Sequence, residues 1–286
     1  MTIQHRTVRA NGIRQHYLDA GEGPPVILLH GFPETSFAWR YQIPVLSTRY
    51  RVIAPDLRGY GETDKPATGY DKRTMARDIV ELTRSLGIET FALVGHDRGA
   101  RVATRLAKDH PRIVDRLVVM DNVPTRVVSR NMSAATARAY WFFFFHLVPD
   151  LPEALIAGRE YIWLRHFFSD WCFNPHAISG KDFDTYVAAY RGPGAVRGAM
   201  ADYRANAEDI AQDMDDAEVK IACPVLSLWG ADFGAVAQTF DMAAVWAEMA
   251  GDLKTSAIPR CGHLPHEERP DEVNALLVDF LEGWNG

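Results

Sequence analysis

The stretch FALVGHDRGAR, residues 91 to 101, sets one carboxylate, Asp97, between two glycines at the end of an apolar run, with Arg98 and Arg101 just after it. Gly-x-Asp-x-Gly has the form of a nucleophile elbow, a strained strand-to-helix turn that stands one side chain above the carboxyl end of a sheet. Gly95 and Gly99 let neighbouring chain segments pack closely around such a turn. A carboxylate there has its own chemistry. It attacks a saturated carbon, displaces a leaving group and becomes an ester on the enzyme, which water must then hydrolyse. The plain alternative is that Asp97 only caps the following helix; that leaves both glycines and the partner residues unexplained.

The second step needs a base for water. His263, in RCGHLPHEERP, follows a candidate strand and precedes the last helix, the place of the histidine in the chain order nucleophile, acid, histidine. His266 is its nearby competitor. An acid must orient that histidine, and two aspartates end strands: Asp121 after RLVVM and Asp232 after LSLWGA. The loop HGFPETSF, 30 to 37, can turn backbone N–H groups toward developing negative charge, with Phe32 N–H and Arg98 N–H as the expected pair. Asp56 is read as pinning its own loop, and His96 and His110 as structural. Arg98 and Arg101 lie about one helical turn apart, so both can face the site. Arginine binds carboxylates bidentately, which points to an anionic substrate.

These residues must be held by elements the chain can form. Apolar runs of the buried parallel-strand type occur at 25–31, 50–57, 91–97, 116–122 and 224–230, with an alternating strand at 14–21 and a last one at 255–263. Helical patterns lie between them: Trp39 to Leu46, Thr74 to Leu86, Ala100 to Lys108, Met242 to Met249 and Asp271 to Trp284. Strands alternating with helices predict an α/β fold with a mostly parallel sheet covered on both faces. The alternation breaks between about 125 and 220 in an aromatic, helical segment. Residues 1–124 and 221–286 are therefore expected to form the core, and 125–220 an inserted helical cap.

Composition sets the bounds. The 286 residues carry a net charge of −6, which gives no reason to expect nucleic acid or an anionic membrane as partner. Cys172, Cys223 and Cys261 show no CxxC spacing, so neither a zinc site nor a disulfide framework is expected. The N-terminus MTIQHRTVRANG has no apolar signal core, and no apolar run approaches the ~20 residues a membrane helix needs. A cytoplasmic protein without metal or organic cofactor is the expectation, with a homodimer as the candidate assembly.

With these residues in hand, the chain resembles the α/β-hydrolase superfamily over nearly its full length. Within it, GHDRGAR followed by VMDNVPT, together with DLRGYGETDKP and ADYRA, resembles the haloacetate dehalogenases, which include fluoroacetate dehalogenases. That resemblance implies Asp97 as nucleophile, Asp121 as acid and His263 as base. It also implies that Arg98 and Arg101 hold the substrate carboxylate, and that a halide is the product. Dehalogenases active on fluoroacetate carry a histidine and a tryptophan in the cap as donors to the halide; here Phe142 and Phe143 fall at those positions, leaving Trp141 and Tyr203 as donors. The loop HGFPETSFAWRYQ equally resembles epoxide hydrolases, which use an elbow aspartate and cap tyrosines; the cap offers Tyr140, Tyr161, Tyr186, Tyr190 and Tyr203. Dehalogenation of a small 2-halo acid is the first expectation, because paired arginines suit an anion. Epoxide hydrolysis is the second.

Overall fold

The apolar run ending at the elbow forms β5 (Phe91–His96), every residue of which is buried, near the middle of an eight-stranded sheet. The computed structural model describes residues 2–286. The other strands are β1 (Gln4–Ala10), β2 (Ile13–Ala20), β3 (Pro25–Leu29), β4 (Arg51–Pro55), β6 (Val114–Met120), β7 (Val225–Gly230) and β8 (Leu253–Ile258), in the order β1-β2-β4-β3-β5-β6-β7-β8. β2 pairs antiparallel with β1 and β4, and all remaining pairs are parallel. β1 escapes a sequence reading because QHRTVRA is polar and largely exposed on both faces, as an edge strand can be. β8 ends at Ile258, earlier than expected, and the freed loop carries His263.

A 3-10 turn (Ser36–Tyr41) and α1 (Ile43–Leu46) follow β3, and α2 (Lys72–Ser85), capped by the Asp71 side chain, follows β4. α3 (Asp97–Asp109) starts on the elbow aspartate itself. Between β6 and β7 run eight helices: α4 (Thr125–Arg130), α5 (Ala134–Ala139), α6 (Trp141–Leu147), α7 (Leu151–Ile156), α8 (Glu160–Asp170), α9 (Gly180–Tyr190), α10 (Ala195–Arg204) and α11 (Asn206–Asp215). α12 (Met242–Met249), α13 (Pro265–Glu268) and α14 (Pro270–Leu281) complete the chain. Apolar side chains fill both faces of the sheet: Ile27, Leu93 and Leu117 on one, Val26, Val94 and Val118 on the other. No helix among the described residues is long and apolar enough to cross a membrane.

The turn from β5 into α3 requires its glycines. Asp97 sits at φ 43°, in the left-handed region that costs a non-glycine residue roughly 1–3 kcal/mol. Helix α3 can then start directly against β3, because a Cβ on Gly99 would stand 2.3 Å from the Leu29 carbonyl oxygen. The loop after β3 is held from below by Glu34, which is fully buried. Its carboxylate accepts from Gly31 N–H (3.1 Å) and from His96 Nδ1 (2.8 Å), and lies 2.9 Å from His266 Nε2. His96 Nε2 in turn donates to the His263 carbonyl oxygen (2.7 Å). Both ring nitrogens of His96 thus face acceptors. Burial works against its charge, but Glu34 outweighs that and lifts its pKa to about 9. His266 is pushed down to about 4 by burial, Glu34 being already engaged by the His96 charge. One buried ion pair therefore ties the loop carrying Phe32 to the loop carrying His263.

Two measurements check this frame. Gly99→Ala is expected to lower stability by roughly 2–4 kcal/mol in urea unfolding, since neither backbone can retreat. The His96 contribution is complete below its unfolded pKa and lost as pH rises through about 9. The thermal midpoint should therefore fall between about pH 7 and about pH 10. Glu34→Gln, which removes the partner charge, should flatten that fall.

Candidate active site

At the carboxyl end of the sheet three strand ends converge. Asp97 follows β5, Asp121 follows β6, and His263 comes from the loop after β8. His263 Nδ1 lies 2.5 Å from Asp121 Oδ2 and its Nε2 3.7 Å from Asp97 Oδ2. A carboxylate facing Nδ1 fixes the proton there and leaves the Nε2 lone pair turned toward Asp97. The 3.7 Å separation is too long for a hydrogen bond and suits a base that acts on water rather than on Asp97. Asp121, also at φ 43°, accepts from Gly230 N–H (3.0 Å) through its other oxygen. Its pKa is raised, because burial outweighs the His263 contact. Asp232, the other expected acid, is exposed at the surface and faces Cys261 N–H. His266 is behind the site in the Glu34 cluster.

Asp97 is held at both ends. Phe32 N–H donates to its Oδ1 (3.0 Å), so the expected Phe32 group faces the Asp97 carboxylate. Asn122 Nδ2 donates to the Asp97 carbonyl oxygen (3.0 Å). The start of α3 adds the positive end of a helix dipole. Around Asp97 lies a cavity of about 10 Å³, room for one water, lined among others by Arg101, Tyr140, Phe142, Phe143, Trp171 and Phe233. Beyond Trp171 and Phe233, which line both spaces, lies an outer pocket of about 260 Å³ bordered by Arg138, Trp141 and Asp170.

The expectation that Arg98 holds the substrate is not met by its geometry. Its guanidinium is fully buried and turns to α10 and α11 of the helical insertion. It donates to Asp202 Oδ2 (3.0 Å), Asp202 Oδ1 (2.6 Å), the Asp202 carbonyl (2.7 Å) and Asn206 Oδ1 (2.9 Å). Burial opposes its charge, but Asp202 outweighs burial and raises its pKa. Lys72 Nζ (2.5 Å) and the Tyr60 hydroxyl (2.7 Å) complete the coordination of Asp202. Arg101 does line the cavity. It donates to Thr125 Oγ1, keeps an unpartnered buried Nε, and lies over the Phe143 ring. Burial, then the nearby Arg98 charge, lowers its pKa.

Trp141 is a second correction. It is 41% exposed and stacks on Phe167, so it borders the outer pocket and not the Asp97 cavity. Tyr203 is fully buried with its hydroxyl unpartnered, and burial followed by the Asp97 charge raises its pKa. Its ring meets Phe32 edge-on at 5.3 Å. Beside it at 4.6 Å is His146, which the sequence reading did not single out. Both nitrogens of His146 are buried without partners, and burial holds its pKa down at about 3, so the ring is neutral. A signal for it existed. On α6 residues 142, 143 and 146 share a face by helical spacing and all three are buried, whereas Trp141 and Phe144 point outward. Tyr186 donates to Glu267, Tyr161 is exposed, and Tyr190 keeps a buried unpartnered hydroxyl.

Comparison with known proteins agrees with this geometry. A family profile described as the alpha/beta hydrolase fold matches residues 24–270. The soluble epoxide hydrolase of Corynebacterium sp. (strain C12) is 36% identical over 283 residues, covering 98% of this chain and 97% of that protein. The fluoroacetate dehalogenase of Burkholderia sp. is 34% identical over 287 residues, covering 98% and 94%. The solved structure of the epoxide hydrolase CorEH without ligand superposes with a TM-score of 0.92 at 35% identity, covering 98% of this chain and 99% of that one. Both expected activities thus occur among relatives of similar distance, and what they share is the fold: this chain belongs to the α/β-hydrolase fold family.

Proposed function

We propose that this hydrolase opens small, uncharged epoxides through an ester on Asp97, with residues 125–220 as the cap over the core 1–124 and 221–286. The observation that carries the reading is the state of Arg98. A guanidinium spent on Asp202 and Asn206 is not free for a substrate carboxylate. A neutral substrate needs no such clamp. It needs a proton donor for the oxygen that leaves carbon, and buried donors without partners, Tyr203 and His146, are what the cap offers. Phe142 and Phe143 have no N–H or O–H for a departing halide.

In this scheme an Asp97 oxygen attacks one epoxide carbon and the C–O bond breaks. The released alkoxide takes the Tyr203 proton, with His146 as a second hydrogen-bond donor. His263 Nε2 then takes a proton from water, and the hydroxide adds to the ester carbonyl carbon. Phe32 N–H and Arg98 N–H face the resulting oxyanion. Collapse breaks the bond to the substrate oxygen, which recovers the proton from His263, a diol leaves, and the hydroxyl proton left on Asp97 returns to the Tyr203 phenolate, restoring both groups. Asp121 keeps the imidazole aligned and supports its charge. The aromatic lining of Phe142, Phe143, Trp171 and Phe233 favours an apolar epoxide.

A second reading, dehalogenation of a 2-halo acid, is favoured by Arg101 alone. It lines the cavity and has a free buried Nε that a carboxylate could use.

Three outcomes separate the readings. His263→Asn, given 1,2-epoxybutane, should stall after the first step and gain the mass of one substrate on the Asp97 peptide. Tyr203→Phe should lower kcat/KM for that epoxide by about 10²–10³-fold, the usual effect of losing one oxyanion donor. The parent should turn over the epoxide well and release chloride from chloroacetate at least about tenfold less efficiently, the excess expected when a site lacks the charge partner of its ligand. Chloroacetate turnover above epoxide turnover, lost in Arg101→Ala, would establish the second reading instead.

A further inference from the structure

Far from the nucleophile, the β1–β2 hairpin brings two histidines together. The register sets Thr7 opposite His16 and His5 opposite Leu18, so His5 and His16 are diagonal neighbours on one face of the sheet. His5 Nδ1 lies 3.0 Å from His16 Nε2. Glu62, from the loop after β4, brings a carboxylate oxygen within 4.8 Å of a ring nitrogen of each histidine. His5 and Glu62 are exposed, while His16 is buried. Behind His16, Nδ1 lies 2.7 Å from Asp56 Oδ2, which holds the proton on Nδ1 and leaves the Nε2 lone pair turned toward His5 and Glu62. A carboxylate behind a histidine whose other nitrogen faces a ligand pocket is the arrangement that orients imidazole at metal centres.

We propose that His5, His16 and Glu62 form a binding site for a divalent transition-metal ion of the zinc type. Two imidazole nitrogens and one carboxylate oxygen suit zinc, cobalt, nickel or copper, and suit calcium and magnesium poorly, since these prefer all-oxygen sets. Zinc–nitrogen bonds of about 2.0–2.1 Å in a tetrahedron separate the two nitrogens by about 3.4 Å. The hairpin therefore has to open only slightly from 3.0 Å, and His5 lies on an exposed edge strand free to give. Solvent supplies the fourth position. The local charge is favourable: Asp56, Glu62 and Asp64 outnumber two cations, the Arg14 guanidinium, turned to Asp64 and the Glu62 carbonyl, and the Lys65 ammonium, turned to the Gly61 and Thr63 carbonyls. The other cluster of this kind among the described residues, Glu34 with His96 and His266, is fully buried and its members are spent on one another.

Occupancy would also be felt at the active-site loop. Asp56 accepts from Glu62 N–H (2.8 Å) and, through Oδ1, from Ser36 N–H (2.7 Å), one turn beyond Phe32. The ion would lock the edge hairpin to this loop and raise the stability of the folded chain.

The test uses the tag-free full-length protein and Zn²⁺, titrated by calorimetry near neutral pH. The parent should bind one equivalent at this site, and zinc at about ten times its Kd should raise the thermal midpoint by roughly 3 °C. His5→Ala and Glu62→Gln should each weaken that binding at least about tenfold. Both residues are exposed, so the metal-free variants should keep the parent's midpoint, which separates ligand loss from misfolding. Co²⁺ in place of zinc should give the strong visible absorption of a tetrahedral site in the parent and not in His5→Ala. Absence of binding at about 1 mM zinc, far above the Kd of a built site, would overturn the proposal. So would zinc affinity unchanged in either variant.

Discussion

The site depends on one backbone constraint, a left-handed aspartate between a buried strand and a helix. Asp97 at φ 43° is a conformation its own side chain disfavours, and the surroundings over-determine it. Gly99 lets α3 start against the Leu29 carbonyl, Asn122 bonds the Asp97 carbonyl oxygen, and Phe32 N–H bonds the carboxylate. The strain is thereby turned to positioning. The carboxylate is lifted off the sheet, toward a histidine whose proton is already settled by Asp121. Chain segments separated by many residues share the cost of keeping this one side chain in place.

The second organising interaction crosses from that same helix into the helical insertion between β6 and β7. Arg98 and Asp202, both fully buried, are bound to each other and to Asn206, Lys72 and Tyr60. Removing one partner of such a cluster strands a buried charge, at a cost of about 3–5 kcal/mol. The cluster therefore ties α10 and α11 to α3, and Tyr203, the next residue after Asp202, packs on Phe32 with the Arg98 guanidinium 4.5 Å from its ring. Arg98, the residue that suggested an anionic substrate, is thus bound to the helical insertion. What lines the cavity beside Asp97 is aromatic wall together with the Arg101 guanidinium, and the unpartnered donors Tyr203 and His146 are buried next to Phe32.

Reading the chain from its residues succeeded where the signal was local. GHDRG, HGFP and the strand ends carrying Asp121 and His263 are short motifs whose geometry is dictated within a few residues, and they converge as the α/β pattern requires. It failed where the outcome was decided by distant partners. Nothing beside Arg98 reveals that a carboxylate 104 residues later will claim it. Trp141 and His146 differ only by helix phase on α6, and a run of phenylalanines between them conceals which face turns inward. β1 was invisible because an edge strand with two polar faces has no hydrophobic period to read.

The claim on which the rest stands is that the oxygen delivered to substrate comes first from Asp97. A single turnover with enzyme in excess, in water enriched in ¹⁸O, tests it directly. If hydroxide activated by His263 attacks the ester carbonyl, the first diol carries no label and one ¹⁸O appears in the peptide containing Asp97. A first-turnover diol carrying the label, with Asp97 unlabelled, would mean that water attacks the substrate itself and would contradict the account.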